Sequence, residues 1–252
     1  MRIISFSADG IKAAAKQGFY EWMADQDADF VCIQDIRCSE YDLHDDKYFP
    51  REYNAYFHDA VDSKVNGVAI YCRKLPKAIM TGLGFTEFDM EGRYIQADYE
   101  RLSVGCLLAP AAKTPEEQAR KGEFYRLFAA HLQKIRNKRR EFVFCGNWNL
   151  AHHAIDVQDS GKSAGVSGFL AEERQWLDEL FANGYVDAFR EINSDGDEFS
   201  WWPDGKQGSN GWRADFQVVS QGLKYAVEYG AIYKVKAFSS HAPVIMDYDL
   251  EI

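Results

Sequence analysis

The chain has 252 residues and a formal charge of −10, enough for one large α/β domain or two small ones with a sizeable core. Its 46% hydrophobic and 15% aromatic residues exclude a disordered chain, and no apolar run approaches the ~20 residues of a membrane span. The acid excess disfavours general nucleic-acid binding, which relies on Lys and Arg to displace counterions from phosphates. Any such contact is expected from one local patch or through a partner.

Met1-Arg2-Ile3-Ile4-Ser5-Phe6 reads as a first strand without a signal-peptide cleavage pattern, so a soluble, non-exported, cytoplasmic protein is expected. Ile11–Asp25 is alanine-rich and places Phe19, Trp22 and Met23 on one side, which predicts one helix. Strand-like runs follow at Phe30–Ile33, Tyr53–Phe57, Val68–Cys72, Tyr94–Tyr99 and Ser103–Leu108. Thr114-Pro115-Glu116-Glu117 has the cap, the first-position proline and the acids that open a helix, predicted to reach about Arg136. Strands at Phe142–Cys145, Phe216–Val219, Tyr225–Tyr229 and Val244–Tyr248 and a helix over Ala171–Phe181 complete the reading. Ser160–Ser167 reads as a loop. No linker divides the chain, so residues 1–252 are taken as one domain. Strand and helix alternate in both halves, which predicts an α/β architecture of two mixed β-sheets face to face with helices outside.

The five cysteines are odd in number and form no Cys-x-x-Cys. Neither a disulfide framework nor a zinc site is suggested; buried, reduced thiols are expected.

Chemistry in such folds sits beyond the carboxyl ends of strands. The central stretch Phe142–Cys145 ends in Gly146-Asn147-Trp148-Asn149, with two amides where a hydrolytic site wants a carboxylate. An amide cannot take a proton from water. Other polar clusters follow or precede strands: Ser7-Ala8-Asp9-Gly10, Gln34-Asp35-Ile36-Arg37, Asn210 to Phe216, and Ser239-Ser240-His241-Ala242-Pro243. Asp35 could pair with Arg37 and Asp215 with Arg213. If the clusters converge, Asp35 and Asp215 could hold a hard divalent cation and His241 could act on a substrate phosphate. The adjacent His152 and His153 are expected to point apart, against a joint metal site. Trp201 and Trp202 could stack on bases, but core and cleft packing is the favoured reading.

Asp9-Gly10-Ile11, Ile33-Gln34-Asp35, Gly92-Arg93-Tyr94-Ile95, Asn149-Leu150-Ala151-His152, Ile155-Asp156-Val157, Gly168-Phe169-Leu170-Ala171-Glu172-Glu173-Arg174-Gln175-Trp176-Leu177, Phe199-Ser200-Trp201-Trp202-Pro203, Gly211-Trp212-Arg213-Ala214-Asp215 and His241-Ala242-Pro243 fall in one family order. The chain resembles, over its whole length, the exonuclease III/abasic-site endonuclease group of Mg²⁺-dependent phosphodiesterases. The resemblance implies the family's four-layered α/β sandwich.

It also marks departures. Ser7 stands at an active-site Asn, Asp35 at a metal-binding Glu, Leu108 at a Tyr, Asn147 at the Asp that handles the attacking water, and Ser240 at an Asp that orients the histidine. Asn149, Asp215 and His241 match. Losing a general base typically costs ~10²–10⁴ in rate, so the resemblance implies a degenerate nuclease cleft: no intact catalytic set, no cofactor, and at most a vestigial Mg²⁺ site on Asp35 and Asp215.

Met1-Arg2-Ile3-Ile4-Ser5, Gly82-Leu83-Gly84-Phe85, Gly92 to Asp98 and Ser239 to Pro243 resemble one branch of the family, the catabolite repression control proteins. That likeness implies a pseudoenzyme that assembles with the RNA chaperone Hfq on A-rich mRNA translation-initiation regions and blocks translation. The alternative is a Mg²⁺-dependent abasic-site endonuclease or 3′-5′ exodeoxyribonuclease. The one dense basic run is Lys134, Arg136, Lys138, Arg139 and Arg140. It reads either as helix-end cations favouring the dipole or as an RNA- or partner-contacting patch. A patch this small predicts weak RNA affinity for the protein alone.

Overall fold

The computed structural model describes residues 1–252. Twelve strands form two six-stranded sheets. The first holds β1 (Arg2–Ser7), β2 (Phe30–Gln34), β3 (Asn54–His58), β4 (Val68–Cys72), β11 (Val227–Ile232) and β12 (Val244–Tyr248), in the order β11-β12-β1-β2-β4-β3. The second holds β5 (Ala78–Thr81), β6 (Tyr94–Asp98), β7 (Leu102–Leu108), β8 (Glu141–Asn147), β9 (Tyr185–Asp187) and β10 (Asp215–Ser220), in the order β5-β6-β7-β8-β10-β9. The helices are α1 (Ile11–Lys16), α2 (Phe19–Ala24), α3 (Thr86–Asp89), α4 (Pro115–Ile135), α5 (Ser160–Ser163), α6 (Ala171–Ala182) and α7 (Ala188–Ile192).

Each sheet has one parallel pair. β1 and β2 are joined through α1 and α2, and β7 and β8 through α4. A parallel pair needs such a crossover, and its two carboxyl ends then lie together. The remaining pairs are antiparallel. Hence β12 and β10 begin where β1 and β8 finish.

Alternation along the strands makes the layers. On β1 and β2, Ile3, Phe30 and Cys32 face the other sheet, where they join Val104, Cys145 and Val219 in a core of 27 residues. Ile4, Phe6, Val31 and Ile33 face outward and pack with Phe19 and Met23 of α2. On the far side α4 buries Phe124, Tyr125, Phe128, Leu132 and Ile135 against Phe144, Trp148, Phe216 and Leu177. Burying each such side chain stabilises by about 1.5–3 kcal/mol. The mixed two-sheet sandwich flanked by helices agrees with the expectation.

α4 starts as predicted: Thr114 accepts the Glu117 N–H while Glu117 accepts from the Thr114 N–H, a reciprocal capping box. All five cysteines are free and buried. Four local expectations are corrected. Ser160–Ser163, inside the stretch read as a loop, is a one-turn helix whose start is capped by Asp159. Ile11–Asp25 is two short helices rather than one, because Gly18 takes the left-handed conformation at φ 85° and turns the chain between them. Two strands were not foreseen: β5 is a mostly exposed four-residue edge, and β9 has only three residues. Tyr225 belongs to a 3-10 turn, not to β11.

Candidate functional site

The shared ends of the two parallel pairs frame a cleft of about 430 Å³. Asp9 follows β1, Asp35 and Arg37 follow β2, Leu108 ends β7, Asn147 ends β8 with Asn149 just beyond, and His241 precedes β12. The predicted residues Asp35, Leu108, Asn147, Asn149 and His241 all line it, together with Asn66, Arg93 and Trp201. Ser7 is 1% exposed, and its Oγ has no hydrogen-bond partner.

Five of the cleft residues have left-handed backbones: Asp9, Asp35, Arg37, Asn66 and Asn149, with φ between 48° and 56°. Asp and Asn visit that region more readily than most residues; an arginine there must be held. Arg37 is held by its N–H to the Asn66 carbonyl at 2.8 Å. Its guanidinium then reaches Asp35 Oδ2 at 2.6 Å and Asp9 Oδ1 at 3.1 Å, so the pairing of Asp35 with Arg37 is met.

His241 is 5% exposed, and its Nδ1 lies 2.8 Å from Asp215 Oδ2, which also accepts the Ser200 hydroxyl at 2.7 Å. Burial by itself would lower the imidazole pKa, but Asp215, with smaller help from Asp9 and Asp35, raises it above the ordinary value. With Nδ1 donating to Asp215, Nε2 is the ring atom left for the cleft. Trp201 stacks on the imidazole, ring centroids 5.9 Å apart. Trp202 is buried in the inter-sheet core, so the packing reading holds for both tryptophans.

Two assignments change here. The carboxylate behind His241 is not lost with Ser240: Asp215 supplies it from the first position of β10, directly across from Asn147. Asp215 does not line the cleft with Asp35, and it is not the partner of Arg213. Arg213 instead turns into the buried acids Asp156, at 2.8 Å, and Asp187, at 2.6 Å. Ser240 has a different task. Its N–H and hydroxyl both donate to Asp9 Oδ2, at 2.9 and 2.5 Å. Burial alone would raise the Asp9 pKa, yet these bonds, His241 and Arg37 hold it below the usual carboxylate range.

The acids do not fit a divalent cation as they stand. Hard cations want about six oxygen ligands and usually keep one or two free carboxylates. Both Asp9 oxygens and one of Asp35 already accept hydrogen bonds, and no three His, Cys, Asp or Glu side chains converge on a common point.

Asn147 also departs from hydrolytic chemistry. Its Oδ1 accepts the Asn149 N–H at 2.9 Å, while Asn149 Nδ2 donates to the Ala109 carbonyl at 2.7 Å. Asn147 keeps an NH₂ donor and one oxygen lone pair, but an amide cannot take a proton from water as a carboxylate does. Leu108, 4% exposed, adds an apolar wall.

Asp9, Arg37, Asn66 and Arg93 were absent from the predicted set. Asp9 and Arg37 stand in the clusters after β1 and β2 that the sequence marked; nothing in the sequence marks Asn66. The histidine pair is corrected as well: the rings of His152 and His153 lie face to face at 3.6 Å, not apart. The chain turns there rather than continuing as a strand, and His152 Nε2 is drawn to Asp178 on α6 at 2.7 Å.

The basic run lies at the other end of β8, next to Glu141. Lys134, Arg136, Lys138 and Arg139 are exposed. Arg140 is not part of an open patch: it pairs with Asp98 at 2.9 Å. Arg136 leans back to the Asn183 carbonyl at 3.2 Å. The exposed patch is thus four cations rather than five, three of them without a hydrogen-bond partner.

A two-sheet α/β sandwich with an acidic, histidine-bearing cleft across one end of both sheets defines a phosphoesterase-type scaffold. The chain belongs to the endonuclease/exonuclease/phosphatase family, whose model matches residues 7–232. It is similar to an exodeoxyribonuclease of Bacillus subtilis (strain 168), at 29% identity over 97% of this chain and 98% of that protein. It is also similar to a DNA-(apurinic or apyrimidinic site) endonuclease of Dictyostelium discoideum, at 29% identity over 99% of this chain and 71% of that one. Among solved structures, an AP endonuclease from Archaeoglobus fulgidus superposes with a TM-score of 0.88 at 21% identity, covering 99% of this chain and 100% of that one. This last likeness speaks for the fold.

Proposed function

We propose that this chain is a non-catalytic member of its family, a regulator of the catabolite repression control type that assembles with Hfq on A-rich translation-initiation regions of mRNA. The observation that carries the first half is Asn147. It stands at the position matching the family's water-activating Asp and its oxygen accepts the Asn149 N–H; an amide there cannot take a proton from water. Without a base the loss is ~10²–10⁴ in rate. Arg37 compounds it by bridging the two acids that a metal would need.

The regulatory half is supported by the resemblance of the segments around Met1–Ser5, Gly82–Phe85, Gly92–Asp98 and Ser239–Pro243, and by the charge pattern. A chain of net charge −10 with four exposed cations at one end of a strand is built for a shared nucleic-acid contact rather than an independent one.

A second reading is a working Mg²⁺-dependent abasic-site endonuclease or 3′-5′ exonuclease. It is favoured by the His241–Asp215 pair and by the activities named for the relatives. Incubation of a labelled duplex containing one abasic site, with Mg²⁺ and then Mn²⁺, beside an authentic family nuclease separates the two. The expected result is no cleavage. Metal-dependent cutting that disappears in His241→Ala would establish the enzyme instead. For the regulatory half, an A-rich RNA should shift strongly only when Hfq is also present. Replacing Lys134, Lys138 and Arg139 by Ala should weaken that joint complex, and an unchanged shift removes the patch from the account.

A further inference from the structure

We propose that Arg37 is the resident cation of the cleft: its guanidinium stands in for a divalent metal and keeps one out. The idea deepens the reading of a silent cleft, but it does not depend on any RNA or Hfq contact.

Three observations carry it. First, the guanidinium touches both acids at once, Asp35 Oδ2 at 2.6 Å and Asp9 Oδ1 at 3.1 Å, and its second nitrogen donates to the Asp9 carbonyl at 3.3 Å. A planar fork suits that bridging where an ammonium would not. Second, the backbone is bent to put it there. Arg37 has φ 48°, between Asp35 at 55° and Asn66 at 56°, a conformation that a long side chain adopts only when its surroundings fix it. Third, the two loops are latched by backbone bonds, Ala8 N–H to Gln34 O, Gly10 N–H to Asp35 O and Ile11 N–H to Ile36 O, all between 2.8 and 2.9 Å. The acids are therefore held near each other whether or not a metal is present, and a cation is needed between them to offset their repulsion. Arg37 provides it covalently.

A divalent ion entering between Asp9 and Asp35 would have to displace the guanidinium or sit within a few ångströms of it. Like charges at that range repel by more than a tenfold change in affinity requires, even at the dielectric of a protein surface. Neutralising Arg37 should open the site. The two acids then gain free oxygens, and the cleft they line has room for water ligands.

The test is titration of the full chain with MnCl₂, following the electron paramagnetic resonance of free Mn²⁺. Uptake is counted only where it is lost in the matching Asp35→Asn protein. The wild type is expected to take up no Asp35-dependent Mn²⁺. Arg37→Gln is expected to bind one ion per chain at least about tenfold more tightly than any uptake by the wild type, and its melting temperature should rise on adding Mg²⁺ while that of the wild type stays put. If Arg37→Gln folds poorly, Arg37→Met serves the same purpose. Asp35-dependent uptake by the wild type at the affinity of the variant overturns the proposal, as does an Arg37 variant that gains none. Either failure leaves the absence of cleavage, and the RNA experiments, to be judged separately.

Discussion

Asp215→Asn should destabilise the protein by an amount that depends on pH. In the wild type His241 and Asp215 are 5% and 2% exposed and 2.8 Å apart, so neither is hydrated in compensation. Burial pulls the imidazole pKa down and Asp215 more than reverses it. Because the folded value lies above the unfolded 6.5, the stabilisation from this pair is fully present below pH 6.5. It is lost as pH rises through the folded value. While His241 is charged, removing its partner breaks a buried ion pair, at a cost of about 3–5 kcal/mol. Once it is neutral only a buried hydrogen bond is disturbed, and an unsatisfied NH₂ is left at Oδ1, which already lacks a partner; that costs about 1–3 kcal/mol. Urea unfolding of both proteins at pH 6 and pH 9 measures the difference directly. A penalty equal at the two pH values would refute a charged His241 and reduce the pair to neutral packing.

Two other perturbations test the frame around the cleft. Arg213→Met strands Asp187 and leaves Asp156 to Arg190; a loss of about 3–5 kcal/mol is expected by urea unfolding. In the wild type burial would raise the Asp156 pKa, but Arg213 and Arg190 hold it far below the ordinary carboxylate value. Its contribution should therefore be whole above pH 3.8, the ordinary value, and decline progressively as pH falls from there toward the folded value, which an acid-unfolding curve of wild type against Asp156→Asn would show. Gly146→Ala should be among the most damaging single changes. A Cβ there would lie 1.9 Å from the Leu107 carbonyl oxygen on the neighbouring strand, so a loss of about 3 kcal/mol or more is expected, read as a lower urea midpoint.

Most of the frame was legible because it rests on local signals. β4 and β12 were bounded to the residue, since β4 is a continuous buried apolar run and β12 interrupts its own only at Asp247. α4 declared its start through Thr114, Pro115 and Glu117. The errors fall where conformation or distance decides. Gly18 could continue a helix or break it, and only its positive φ distinguishes the two. The partner of His241 lies 26 residues earlier in the chain, and it is reached because Asp215 opens a strand antiparallel to β8. That depends on sheet order, not on neighbouring letters. The tie between Arg37 and Asp35 was within reach of sequence spacing. The second tie, to Asp9, was not, since it needs β1 and β2 to be adjacent and Arg37 to turn left-handed. The basic run shrank for a similar reason: five cations in sequence became four on the surface once Arg140 met Asp98 across the sheet.

The placement of the cleft and the exposed cations at opposite ends of β8 sets a molecular ruler. Seven residues of strand span about 20 Å at ~3.3 Å per residue, while stacked nucleotides advance by ~3.4 Å. On the proposed nucleic-acid reading, one oligonucleotide would need about six stacked nucleotides to reach from one end to the other, and more if it follows the curved surface. Affinity that climbs in a step with oligonucleotide length would mark a strand lying along the sandwich, whereas a flat dependence would mark two independent stations.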